Sequence, residues 1–290
     1  MRLPTRRRLA ALALLLPGLL PLLVLFLVPF VWSILGSIGL DADHAELTSR
    51  HYVDIVMRPA LQRALVMSAY YGIVPVLGTL PIAISLALVL RRHFFGRALF
   101  NGLYKIPMAV PGIIAALVVM TLFDRGGFAD RVLAPMGLSL PRMVRDPWGI
   151  GVILTLIWKQ VPLMTLVISG ALASIPEDIG QAARSLGAGR WRALWLVELP
   201  LALPSLSVAA LLSFISNLGS YAVPDLLGPA SPKPLAVHMV EEFGLGNLGA
   251  VDAMGVVLSV FAAVVMVGQE LLTRPALNPG DSHDRPGRST

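Results

Sequence analysis

Six long tracts of this chain are apolar and nearly free of charge, and they constrain its fold more than any other feature. They run approximately over residues 9–38, 64–90, 103–123, 149–173, 201–223 and 251–272. A bilayer's hydrocarbon core is about 30 Å thick and a helix rises roughly 1.5 Å per residue, so about 20 apolar residues cross it. In lipid, every backbone N–H and C=O must find its partner within its own segment. The expected fold is therefore an all-α membrane protein with six transmembrane helices. Composition agrees: 56% of residues are hydrophobic, 14% are charged, and the mean hydropathy is +0.76. Soluble domains carry about 25% charge, so a soluble globular enzyme is excluded. Disorder is excluded as well, because it needs low hydrophobicity.

The charges sort the two sides of the membrane. Of 23 Lys and Arg, fourteen lie on the side of the N-terminus, eight on the other, and Lys159 sits inside the fourth tract. The richer side is expected to be cytoplasmic, with both termini inside. A net charge of +6 and a pI near 10.2 thus arise from a girdle around the spans. That distribution points to membrane lipid and away from nucleic acid, which needs one concentrated patch.

Several chemistries drop out. Cysteine is absent, which removes disulfides, Cys-ligated metals and thiol nucleophiles. His44, His51, His93, His238 and His283 stand singly with no i,i+4 pair, so no metal site is expected. The uncharged tracts offer no clustered acid–base groups for a membrane-embedded enzyme. A secondary transporter would need internal symmetry with interrupted helices at matching places; six unequal tracts show none, which leaves it the lesser alternative.

The N-terminus, Arg-rich and then Leu-rich, also reads as a signal peptide. Its apolar run is about twice a usual h-region, holds Pro17, Pro21 and Pro29, and reaches no small-x-small cleavage site. An uncleaved first helix within residues 1–40 is expected, with the part before Pro21 partly interfacial. Pro75, Pro81, Pro107, Pro111 and Pro162 lie inside later tracts and predict bent helices. One transmembrane domain is expected, over residues 60–274 by the resemblance given below, and the Pro-, Gly- and Ser-rich tail at 275–290 is expected to be disordered.

The loop between the fourth and fifth tracts carries the most information. Ser174 and Glu177 have capping-box spacing. Ile179, Ala182, Ala183 and Leu186 then form one apolar helical stripe, and Gly187 and Gly189 predict a left-handed stop. A second short helix bears Trp191, Leu194 and Trp195, and Pro200 leads into the fifth span. Such an elbow either lies flat in the interface or docks in a groove of a soluble partner. The residues alone leave these two readings level.

A resemblance separates them. Gln181-Ala182-Ala183, three residues, Gly187, nine residues, then Val197-Glu198-Leu199-Pro200 resembles the EAA loop of ABC importer permeases. Those proteins are binding-protein-dependent inner-membrane components with the type I fold. Gln181 stands where the family has Glu, and Val197 where it has Ile. The resemblance implies five core helices, a first extra helix, and a coupling helix seated in a cytoplasmic ABC ATPase. Gln181, Ala182, Ala183, Arg184, Ser185, Gly187, Leu199 and Pro200 take the coupling role by this likeness. It also implies a second permease subunit, an extracytoplasmic substrate-binding protein and a bacterial inner-membrane location. The chain has no G-x-x-x-x-G-K-[ST] loop. It is thus expected to be no enzyme and to hold no cofactor, with ATP bound and hydrolysed by the partner.

Lys159, Asn217, Ser220, Tyr221 and Asp225 are the candidates for the solute path. A charge at mid-bilayer costs roughly 2.5–3.5 kcal/mol on insertion scales and belongs in a bundle interior, unless it snorkels or pairs. Ser213, Ser216 and Asn217 fall on or near one helical face, where small polar residues also simply hold helices together. The run from Gly219 to Gly228 is similar to the spermidine/putrescine branch of the permeases, and to iron and phosphonate branches. Sulfate and thiamine types remain alternatives. Lys159 would repel a polycation, whereas Asp225 and Asp252 would attract one.

Overall fold

The computed structural model describes residues 5–40, 46–138 and 141–277. In chain order the helices are α1 (Thr5–Leu22), α2 (Val28–Ser37), α3 (Arg50–Met57), α4 (Pro59–Leu90) and α5 (Arg97–Leu103). Next come α6 (Ile106–Ala109), α7 (Gly112–Phe123), α8 (Phe128–Leu133), α9 (Ile150–Ser174) and α10 (Glu177–Ser185). The last are α11 (Arg190–Ala193), α12 (Leu199–Leu218), α13 (Ala222–Leu227), α14 (Leu235–Gly244) and α15 (Leu248–Leu277). Among the described residues, six helical stretches are long and apolar enough to cross a membrane: Leu14–Ser37, Pro59–Leu90, Gly112–Met136, Ile150–Ser174, Arg190–Leu218 and Leu248–Leu271. The expected all-α fold with six spans is what forms.

In two of the spans an expected end lies beyond a break in the helix. The third was expected over 103–123, yet its helix begins at Gly112, behind a break at Val110 and Pro111. Proline lacks an N–H and drives the residue before it to extended backbone, and Val110 sits at ψ 121°. The fifth ends at Leu218 rather than 223, and Ala222–Leu227 is a separate short helix. Pro107 falls in the first turn of the short α6, whereas α4 runs unbroken through Pro75 and Pro81 and α9 through Pro162. Thr79 and Ser85 donate their hydroxyls to the Pro75 and Pro81 carbonyls at 2.6 and 2.7 Å. Of the tail expected to be disordered, residues 275–277 are helical within α15, and 278–290 lie outside the described residues.

The chain divides into two compact units, Met1–Gln62 with Met239–Ser259, and Arg63–His238 with Val260–Thr290. In the first unit, residues 14–32 expose their side chains all round, as a helix surrounded by lipid does. A five-residue π-helical turn, Leu23–Leu27, joins α1 to α2. Lower down, Ser33 donates to Asp252 Oδ1 at 2.8 Å, and Ser37 shares a 2.7 Å hydrogen bond with Tyr52. Asp252, expected at an outer span end to attract cations, is thus engaged by a serine. Gly36 is required there, since a Cβ would run into the Asp252 carboxylate.

In the second unit α9 is the central element, with 44% of its most apolar window buried. Met67, Tyr71, Ala116, Val144, Val152, Leu156, Val223 and Leu227 form one buried cluster around it. Lipid tails are as apolar as leucine, so close packing rather than water exclusion holds such helices together. Glycines allow it: a Cβ on Gly72 would lie 2.6 Å from the Phe214 ring, and one on Gly78 would lie 2.6 Å from Ile157. Asp146, 2% exposed, fixes the start of α9 by accepting from the N–H groups of Trp148 and Ile150 at 3.1 and 3.0 Å.

Candidate functional site

The elbow is built by helix-terminus chemistry. At the end of α10, Gly187 lies at φ +87°, a conformation that costs any other L-residue strain. Ala188 N–H donates to Ala183 O at 3.0 Å and Gly187 N–H to Arg184 O at 2.9 Å, the two bonds of a Schellman stop. Gly189, also expected to be left-handed, is extended at φ −63°, ψ 160°. The capping box does not form. Pro176 occupies the N-cap of α10, while Ser174 closes α9 and donates to Ala171 O at 2.8 Å.

The coupling candidates present an open surface. Gln181, Ala182, Arg184, Ser185 and Gly187 are exposed and Ala183 is half-buried. Ser185 donates back to Gln181 O at 3.1 Å. Leu186, at the tip of the apolar stripe, is 90% exposed, and Ile179 is 36% exposed. The chain partly covers Ile179 and Ala183 and leaves Ala182 and Leu186 open. Leu199 is buried and Pro200 exposed at the first turn of α12.

Behind the elbow, the connection to α12 is continuous. α11 passes into a π-helical turn, Leu194–Glu198, in which Leu199 N–H reaches back to Leu194 O. Pro200 lies just beyond, and the wider turn relieves the clash a proline makes with the carbonyl four residues earlier. Glu198, in this turn, forms an ion pair with Arg91 just past the C-terminus of α4. Its Oε1 would lie 3.1 Å from a Cβ on the buried Gly180 of α10. The carboxylate thus joins α4 to the root of α12 and lies close against α10. Sequence reasoning passed over both partners: Glu198 fell at the variable position of the motif, and Arg91 was one of many girdle cations. A lone acid in the run Leu194–Pro204 was the available signal.

The proposed path residues fall into three groups. Lys159 donates from Nζ to Val110 O at 2.6 Å, so the intramembrane cation satisfies the carbonyl stranded at the break in the third span. Asn217 is 2% exposed and accepts from Gln160 Nε2 at 3.0 Å, which links α12 to α9. Ser213 is buried on the same face, whereas Ser216 is exposed and does not share it. At the far end of α12, Tyr221 OH donates to Asp225 Oδ2 at 3.3 Å and Lys233 stands 3.8 Å from Asp225 Oδ1. Ser220 is half-buried beside them and its N–H bonds Asn217 O at 3.0 Å. No group of metal-ligating side chains occurs among the described residues.

Six apolar helices long enough to span a membrane, a helical elbow exposed at its Leu186 tip and a buried polar link between α9 and α12 are the features of a multi-pass transport permease. The chain belongs to the family of binding-protein-dependent transport system inner membrane components, which it matches over residues 79–275. It is accordingly a permease component of an ABC import system in the inner membrane, a family of transport proteins and not an enzyme class. It is 30% identical over 195 residues to the molybdenum transport system permease ModB of Escherichia coli K12, covering 65% of this chain and 83% of ModB. It is 25% identical over 254 residues to the trehalose/maltose permease MalF of Thermococcus litoralis, covering 82% and 86%. A bacterial alginate ABC transporter, crystallised in complex with an alginate pentasaccharide-bound periplasmic protein, has a chain that superposes at a TM-score of 0.78. That match covers 94% of this chain and 96% of the other at 20% identity, and it shows the type I fold.

Proposed function

We propose that this chain forms part of the solute path of an ATP-driven importer and takes its motion from a separate cytoplasmic ATPase through the α10 elbow. The observation that carries this reading is the exposed tip of the apolar stripe at Leu186, one turn before the unbroken run of α11, the π-helical turn and α12. Gln181, Ala182, Ala183, Arg184, Ser185 and Gly187 meet the ATPase, while Leu199 and Pro200 pass its displacement into the fifth span. From there the Gln160–Asn217 bond leads to α9, and Lys159 leads to the broken third span. The elbow then lies on the cytoplasmic face with both termini, in keeping with the Lys and Arg count. A second permease subunit completes the path, and an extracytoplasmic binding protein delivers the solute. ATP is bound and hydrolysed by the partner, and this chain needs no cofactor. The physical content is a two-state bundle biased through a rigid lever.

For the solute, the run from Gly219 to Gly228 supports a polyamine. Lys159, which would repel one, is turned to a main-chain carbonyl, and Asp225 offers a carboxylate, although Lys233 stands beside it. The likeness to ModB favours a second reading, an oxyanion. Calorimetry of the cognate binding protein with spermidine and with molybdate separates the two.

The coupling reading is tested by co-purifying the ATPase with wild type, Leu186→Arg and Gln181→Glu. Leu186→Arg should lose the ATPase while the chain stays folded, and Gln181→Glu should keep it. Undiminished association of Leu186→Arg would sink the assignment.

A further inference from the structure

Beside the elbow, the second unit carries an apolar groove of about 530 Å³. Leu80, Ile84 and Leu88, one helical turn apart on α4, form a wall, Leu194 is buried in the floor, and Trp191 and Trp195 stand at the rim. Its size is that of a small-molecule site. The two indoles are 70% and 59% exposed, and such rings favour the headgroup level of a membrane. The groove opens past Leu88 and Trp191 into a second cavity of about 560 Å³ that carries Arg92, His93 and Arg190. Glu198, also in that cavity, is already paired with Arg91, which leaves the cup cationic.

An apolar slot leading into a cationic cup has the polarity order of one ligand class. We propose that this is a binding site for an anionic phospholipid, with an acyl chain along Leu80–Leu88 and the phosphate against Arg92 and Arg190. Basic pockets between helices on one face of a membrane protein hold anionic headgroups by the same electrostatics. The site goes beyond the coupling role and does not depend on it. A lipid here would wedge between α4 and the root of α12, so the elbow's position would depend on lipid charge.

The full chain, purified in detergent, is titrated with dioleoyl-phosphatidylglycerol or dioleoyl-phosphatidylcholine and followed by native mass spectrometry and thermal unfolding. The expected result is retention of phosphatidylglycerol with a raised Tm, and neither effect with phosphatidylcholine. The double variant Arg92→Gln, Arg190→Gln should weaken phosphatidylglycerol binding about tenfold, since each cation near the surface contributes about a fivefold factor at most. Ser85→Trp, which fills the slot from an exposed position and spares the cations, should weaken it comparably. Arg125→Gln with Arg131→Gln, outside both cavities, should leave it unchanged. Equal binding of the two lipids overturns the proposal, as does binding that survives both groove variants. Reproduction of the Tm shift by inorganic phosphate alone overturns it too. So does a photocrosslinker at position 191 that labels a protein subunit instead of lipid in the assembled transporter.

Discussion

The Glu198 carboxylate holds the Arg91 guanidinium across 107 residues of sequence, tying the root of α12 to the end of α4. Glu198 is 12% exposed and Arg91 38%, so solvent reaches only one side of the pair. A half-open pair contributes on the order of 0.2–1 kcal/mol to stability. Its larger consequence is geometric, since it fixes where the elbow's second limb leaves the bundle.

Charge reversal tests that geometry. Glu198→Arg places two cations together and should reduce solute uptake severalfold while lowering Tm by only a few degrees. The double variant Arg91→Glu, Glu198→Arg should recover most of the uptake, because the pair re-forms with opposite polarity. Uptake that stays low in the swap would show that Glu198 acts through another contact.

The two elbow glycines should behave differently. Gly187 needs φ +87°, at a cost of about 1–2 kcal/mol for an ordinary L-residue. No atom lies within 4 Å of its would-be Cβ, so the penalty is backbone strain and not collision. Uptake and Tm should fall in the order Gly, Asn, Ala, Val at position 187. Gly189→Ala, at an extended position open to solvent, should be silent in both assays.

Part of this architecture was legible in the residues. The spans were readable because lipid imposes one rule on every backbone group, and the Gly187 stop because a left-handed turn selects glycine. What escaped was main-chain or pairwise. Ser174 fits a capping box by spacing, but the adjacent Ile175-Pro176 backbone is extended, and Ser174 therefore ends the previous helix. The role of Lys159 depends on a carbonyl at Val110, which no side-chain pattern encodes. The Val110-Pro111 dipeptide is a local signal for the break in the third span, but the unbroken apolar run over 103–123 masks it. Arg91 and Glu198 find each other through tertiary packing, beyond the reach of local spacing.

The Gln160–Asn217 bond should be worth less than its burial implies. Interhelical hydrogen bonds in membranes average about 0.6 kcal/mol in double-mutant cycles and reach about 1.7 at most, because the separated helices find other partners in the membrane. A cycle of Gln160→Leu and Asn217→Leu, read by thermal or denaturant unfolding, should give a coupling energy in that range. Ser216→Ala, on the exposed side of α12, should show no coupling to Gln160.

Lys159 offers the sharpest discrimination between a structural and a solute-contacting charge. Its ammonium satisfies Val110 O at 2.6 Å, where Pro111 interrupts the helix. Hydrogen bonds to charged groups contribute about 1.5–3 kcal/mol. Lys159→Met should therefore lower Tm and the amount of folded permease while leaving the KM for uptake unchanged. Pro111→Ala restores an N–H and permits a continuous helix, so it should blunt the penalty of Lys159→Met in the double variant. A Lys159→Met protein with unaltered Tm and a shifted KM would instead place the ammonium against the passing solute.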